Sequence, residues 1–293
     1  MSTSRTTGGA DAAAATGGEL ADGELRRIAA RLVRVRGVVG VCLGGSRARG
    51  AAAPGSDYDL GLYYRPGTLD TEALRRLAAE LCGAPVEVAE PGGWGPWVDG
   101  GAWLEIAGAR VDWIYRDLAR VRHYAAEARA GRYETGVQPG HPYGVPSYAY
   151  VGELALGRVL ADTDTELTLL QAELAPFPPA LAARLEADAA WEAPFLLANA
   201  RKGAKRGDAA YVSGCLFRTV GLLAHALHGR AGRWLINEKG AITATARLSC
   251  APPDFAHRAQ CLFTPAATDP TALAALLDAA DALTADVLGG GVA

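Results

Sequence analysis

Two carboxylates stand two residues apart in a stretch that otherwise reads as a buried strand. The run is SDYDLGLYY, residues 56–64, and the carboxylates are Asp57 and Asp59. In an extended chain, residues two apart share a face. Asp57 and Asp59 therefore project together, with Tyr58 and Leu60 on the other side. Adjacent anions repel, and burying them unpaired is costly. The pattern admits two outcomes. Either both aspartates lie in water on an edge strand, or a divalent cation bridges them on a sheet surface. Mg²⁺ suits the second case, because it prefers hard oxygen ligands and usually keeps waters and phosphate oxygens in its shell.

The segment before the aspartates favours the cation. VVGVCLGG, from Val38, is a β-branched, apolar strand. It runs into Gly44-Gly45-Ser46, where glycines let a backbone approach a phosphate and N–H and hydroxyl groups can donate to it. Arg47 and Arg49 follow as possible anion partners. Two-metal phosphoryl chemistry calls for a third carboxylate. The best placed is Asp112, in GARVDWIYR, alternating with Val111 and Trp113 in a later strand; Glu105 on the partner strand is a weaker candidate.

Around this core, residues 19–135 alternate helical and strand patterns. ELADGELRRIAARLVRVRG and TEALRRLAAELCG have helical spacing, VEVAE reads as a short strand, AWLEIAGARVDWIYRD as two strands joined at Ala107-Gly108-Ala109, and LARVRHYAAEARAG as a helix. A Gly-, Pro- and Tyr-rich loop follows. Beyond it, residues 147–290 read as helical. The expected architecture is an α+β N-terminal domain, a small mixed sheet flanked by helices, over 19–135, and an all-α helical bundle over 147–290. Residues 1–18 read as a disordered tail rather than a secretion signal.

The chain has 293 residues, half of them hydrophobic, so it can bury a sizeable core. Its net charge of −3 lacks the strongly basic footprint of a nucleic-acid-coating protein. The five scattered cysteines, without CxxC spacing, read as reduced thiols of a cytoplasmic protein. No apolar run is expected to span a membrane. GxxxxGK[ST] is missing from the sequence, which disfavours a P-loop kinase.

Gly45-Ser46, Asp57, Asp59 and Asp112 occur in the order that marks the DNA polymerase beta-like nucleotidyltransferase superfamily, which residues 38–115 resemble. The helical region resembles the appended domain of the aminoglycoside nucleotidyltransferases. The resemblance implies a Mg-dependent nucleotidyltransferase with two ions held by Asp57, Asp59 and Asp112. It would move a nucleoside monophosphate, AMP if the triphosphate is ATP, to a hydroxyl of a small molecule such as an aminoglycoside-like antibiotic. The triphosphate would rest on Gly45 and Ser46, with Ser56, Arg218 and Lys239 assisting; the cluster ARKGAKRGD (Arg201, Lys202, Lys205, Arg206) competes for the last role. Asp112 would complete the metal site or take the acceptor proton, with Glu153 as the alternative base. Two rival readings share these residues: a nucleotidyltransferase that modifies protein or tRNA, as antitoxin-type members do, and an inactive nucleotide-binding regulator. The assembly is expected to be a monomer or homodimer.

For the acceptor, the sequence offers aromatic residues. His141, Tyr143, Tyr148 and Tyr150 lie in the loop between the domains, and Trp94, Trp97 and Trp103 cluster before it. Each set could wall a pocket or simply cover the core. Glu87, Glu90, Asp99 and Glu105 give the region negative charge that would suit a cationic acceptor.

Overall fold

A computed structural model describes residues 18–50, 52–264 and 267–290; all but the last residue of the expected N-terminal tail lies outside them. The described residues open with α1 (Asp22–Leu32), β1 (Val38–Leu43), the single turn α2 (Gly45–Ala48), β2 (Tyr58–Tyr64), α3 (Thr71–Cys82), β3 (Gly101–Ile106), β4 (Ala109–Asp117) and α4 (Leu118–Arg129). The sequence signals for these elements are physical ones. In α3, Asp70 accepts the Ala73 N–H at 2.9 Å, and Gly83 ends the helix in the left-handed region at φ +70°. All six residues of β1 are buried, as an unbroken apolar run requires of a strand covered on both faces.

A ribbon of β5 (Thr135–Gln138) and β6 (His141–Pro146) comes next, where a Gly/Pro/Tyr loop was expected. After it come α5 (Ala149–Leu156), β7 (Arg158–Asp162) and α6 (Glu166–Leu174). The principal sheet has five strands in the order β3-β4-β2-β1-β7. β2 and β4 run parallel; β1–β2, β1–β7 and β3–β4 are antiparallel. Residues 147–290 are therefore not wholly helical: β7 pairs with β1 and completes the N-terminal sheet. The expected strand at VEVAE does not form. Residues 85–90 run irregularly beside the sheet, and the Ala89 N–H donates to the Gly101 carbonyl at 2.8 Å.

The two faces of the sheet have separate cores. On one, Leu25 and Ile28 of α1 and Leu74 of α3 pack on Leu60, Leu62, Val111, Trp113 and Tyr115. On the other, Val121 of α4, Tyr150 and Leu154 of α5 and Leu167 of α6 cover Val39, Cys42 and Tyr63. The rest is helical: α7 (Pro179–Ala204), α8 (Ala209–Arg230), the short α9 (Ala241–Thr245) and α10 (Phe255–Cys261), and α11 (Pro270–Gly289). Leu197, Val212, Leu216, Leu223, Leu277 and Leu283 form the core of this bundle. Helix α8 is, against expectation, long and apolar enough to cross a membrane, with a mean hydropathy of 1.3, but 61% of that window is buried against the rest of the protein. The five cysteines form no disulfide.

Candidate active site

Strand parity selects the side chains that face the second core. In β2, Tyr58, Leu60 and Leu62 turn to the first core, so Asp59, Gly61 and Tyr63 turn the other way. In β4, Val111, Trp113 and Tyr115 fill the first core, and Asp112, Ile114 and Arg116 share the opposite face. The parallel register pairs Asp59 with Asp112. The two carboxylates thus stand side by side on neighbouring strands. They line a cleft of 270 Å³ together with Gly44, Gly45, Tyr150, Glu153, Asn237 and Lys239.

The glycine turn is built around Asp59. The Gly44 N–H donates to the Asp59 carbonyl at 2.7 Å. Gly45 adopts φ +63°, and a Cβ there would overlap the Asp59 carboxylate, so both the backbone conformation and the space exclude a side chain. Ser46 follows in α2 and does not line the cleft. Ser56 is occupied within its own loop. Its hydroxyl accepts the Ala53 N–H at 3.0 Å and its carbonyl accepts Arg47 at 2.8 and 3.0 Å, while the Arg47 guanidinium lies 3.7 Å over the Tyr58 ring.

Asp57 sits one residue before β2 and is diverted. Its Oδ1 lies 2.6 Å from Nε of Arg110, whose Nη2 donates to the Gly55 carbonyl at 3.0 Å. The same Oδ1 is sealed from water without a well-aligned hydrogen bond. The contact is an ion pair, and the oxygen's hydrogen-bonding capacity is unused. Among the described residues, no three His, Cys, Asp or Glu side chains come together as a ready-made metal cluster. The expectation that Asp57, Asp59 and Asp112 converge thus meets a structure in which two face the cleft and the third is held by a guanidinium.

The electrostatics of the pair are those of crowded anions. Burial, then Glu153 and Asp57, push the Asp59 carboxyl above its usual range, against the pull of Arg49 and Lys239. Asp112 is pushed up to about 6 by burial and by Asp59 and Asp57, with Arg110 opposing. A divalent cation relieves this repulsion. The donors are all hard oxygens, an orphaned oxygen of Asp57 stands next to them in sequence, and the glycine turn leaves room that a Cβ would fill. The residues present fit such an ion.

The remaining candidates divide. Lys239 lines the cleft, brought there by the segment after α8, where the Asn237 side-chain oxygen accepts the Lys239 N–H at 3.0 Å. Arg218 is not among the lining residues: its guanidinium is committed to Glu192 at 2.7 and 3.0 Å and lies 4.7 Å over Tyr143. Arg201 pairs with Asp278 and Asp281 of α11. Glu153 lines the cleft, but each of its oxygens already accepts from Arg116, one of them at 2.8 Å, so the pair holds its carboxylate in place. Glu105 is exposed on edge strand β3. His141, Tyr150 and Trp97 reach the cleft. Tyr148 is buried against His225 at 2.6 Å, and Trp94 stacks on the exposed Trp103 at 4.3 Å, on the outside of the molecule. Sequence reasoning missed Arg110, Arg116 and Asn237. The parity of β4 carried a signal for the two arginines, because both share a face with Asp112.

Residues 24–91 match the family model described as a nucleotidyltransferase domain. The matched stretch holds the glycine turn, Asp57 and Asp59, ends before Asp112, and is less than a quarter of the chain. No curated protein matches the sequence. Among solved structures, a nucleotidyltransferase-like protein from Exiguobacterium sibiricum 255-15 is similar over 85% of this chain and 69% of that one, at 13% identity and a TM-score of 0.42. The class that the matched domain defines is nucleotidyltransferase, in a chain built of a mixed α/β sheet unit followed by a helical region.

Proposed function

We propose that this enzyme transfers a nucleoside monophosphate from a nucleoside triphosphate, ATP in the simplest case, to a hydroxyl of a small molecule. The observation that carries the reading is the in-register pairing of Asp59 with Asp112 beside the Gly44-Gly45 turn. Asp59 and Asp112, joined by Asp57 once it leaves Arg110, would hold Mg²⁺, which when bound supplies neutralisation of negative charge at the phosphates. The turn at Gly45 leaves room for the phosphates, and Lys239 adds positive charge from the far wall. Asp112 is the group placed to take the proton of the acceptor hydroxyl. Glu153, held by Arg116, shapes the wall.

An aminoglycoside-like antibiotic is one instance of such a small-molecule acceptor, since Asp59, Asp112 and Glu153 give the cleft wall negative charge. The net charge of −3 supports a small molecule over tRNA. The proposed units are a catalytic domain that extends through β7 and a helical region after it, in a protein of the cytoplasm acting as monomer or homodimer. The test is incubation of the purified enzyme with Mg²⁺, ATP and a panel of hydroxylated amines, followed by mass spectrometry. An acceptor heavier by one nucleoside monophosphate, with matching pyrophosphate, is the expected result. Labelling of protein or tRNA alone would move the reading to the macromolecular alternative.

A further inference from the structure

We propose that Arg110 makes cation binding at this site conditional on a polyphosphate, an inference that rests on the functional reading above. The guanidinium of Arg110 bridges Asp57 Oδ1, 2.6 Å from its Nε, and the Gly55 carbonyl, 3.0 Å from its Nη2. It therefore pins the loop before β2 to the start of β4. Arg110 lies two residues before Asp112, on the same face of β4, and its charge is felt at the Asp112 carboxyl. A divalent cation that arrives alone must displace one positive charge from Asp57 and settle beside it. A cation that arrives on a triphosphate brings the anion that receives Arg110 in exchange, since a guanidinium matches phosphate oxygens as well as it matches a carboxylate. Arg110 is a positioning residue in this scheme: it keeps Asp57 out of the metal site until the exchange partner is present. The side chain is 67% exposed, so it is free to swing.

Linkage makes the scheme measurable, because coupling between metal and nucleotide is reciprocal. Mn²⁺ is titrated calorimetrically into the full-length protein, with and without the non-hydrolysable α,β-methylene analogue of ATP, for wild type, Arg110→Ala and Arg110→Lys. Without nucleotide, Arg110→Ala is expected to bind Mn²⁺ roughly two- to fivefold more tightly than wild type, the scale of an exposed ion pair removed from competition. With the analogue, wild type should gain more Mn²⁺ affinity than Arg110→Ala, and Arg110→Lys should restore much of the wild-type pattern. A merely structural arginine would leave Mn²⁺ binding unchanged or weaker in Arg110→Ala, and either result overturns the inference. If wild type binds the metal–nucleotide complex and Asp59→Asn abolishes binding, yet Arg110→Ala leaves the coupling intact, only the inference falls. If wild type binds no metal–nucleotide complex, the functional reading fails and the inference goes with it.

Discussion

Asp59 and Gly45 form one unit, and a methyl group tests it. Gly45→Ala puts a Cβ into the Asp59 carboxylate at a backbone angle of +63°. The backbone cost is about 1–2 kcal/mol, whereas displacement of a reacting-site carboxylate by an ångström can cost about a hundredfold in rate. The variant should therefore melt within a few degrees of wild type but lose transfer by that factor, as read by paired thermal melts and pyrophosphate release. Asp112 allows a second prediction. Its carboxyl is raised from 3.8 to about 6 in the metal-free protein. The folded state thus holds the proton more tightly than the unfolded state, so this group favours folding below pH 4 and loses that contribution as pH climbs to about 6. Over that window the melting temperature of wild type should fall more steeply than that of Asp112→Asn, and Mg²⁺ at pH 7 should raise it in wild type alone; parallel pH curves would contradict the assignment. At this scale the sequence was informative where spacing determines a face, as with Asp59 and Asp112. It was silent on Arg110, because nothing local tells which of several arginines will meet Asp57 from a strand far along the chain.

Secondary-structure elements were legible when one period dominated. The strand at Val38–Leu43 and the helix ending at Gly83 follow from apolar runs and turn chemistry. β7 was hidden: Arg158–Asp162 is short, partly exposed, and embedded in helical sequence, and only its pairing with β1 makes it a strand. The placement has a consequence for fragments. A piece covering residues 19–135 lacks β7 and also α5 and α6, which cover Val39, Cys42 and Tyr63. It should show neither the near-UV circular dichroism nor the slow amide exchange of the intact chain; a cooperatively folded 19–135 fragment would refute this reading of the sheet. Inside the sheet, Trp113 is fully buried against α1 and α3. Trp113→Ala should cost about 3–5 kcal/mol in urea unfolding.

The cleft belongs to the whole chain: Asp59 and Asp112 come from the sheet, Glu153 from α5, and Lys239 from the segment that follows α8. The division into a sheet unit and a helical region was readable from periodicity, but the contribution of each to the cleft was not, because it depends on how distant segments pack. Two basic residues that the sequence treats alike are separated by this geometry. Lys239→Ala should weaken binding of the ATP analogue several-fold. Arg218→Ala should leave that affinity unchanged while lowering the melting temperature, since it leaves Glu192 without its partner and takes the guanidinium off the Tyr143 ring. Whether the paired carboxylates on β2 and β4 hold a metal-bound triphosphate decides what this cleft does. Calorimetric titration of the α,β-methylene analogue of ATP with Mg²⁺ into wild type and Asp59→Asn addresses this directly. Saturable, Mg²⁺-dependent binding that drops at least tenfold in Asp59→Asn is the predicted result; equal affinity in the two proteins, or binding indifferent to Mg²⁺, would contradict it.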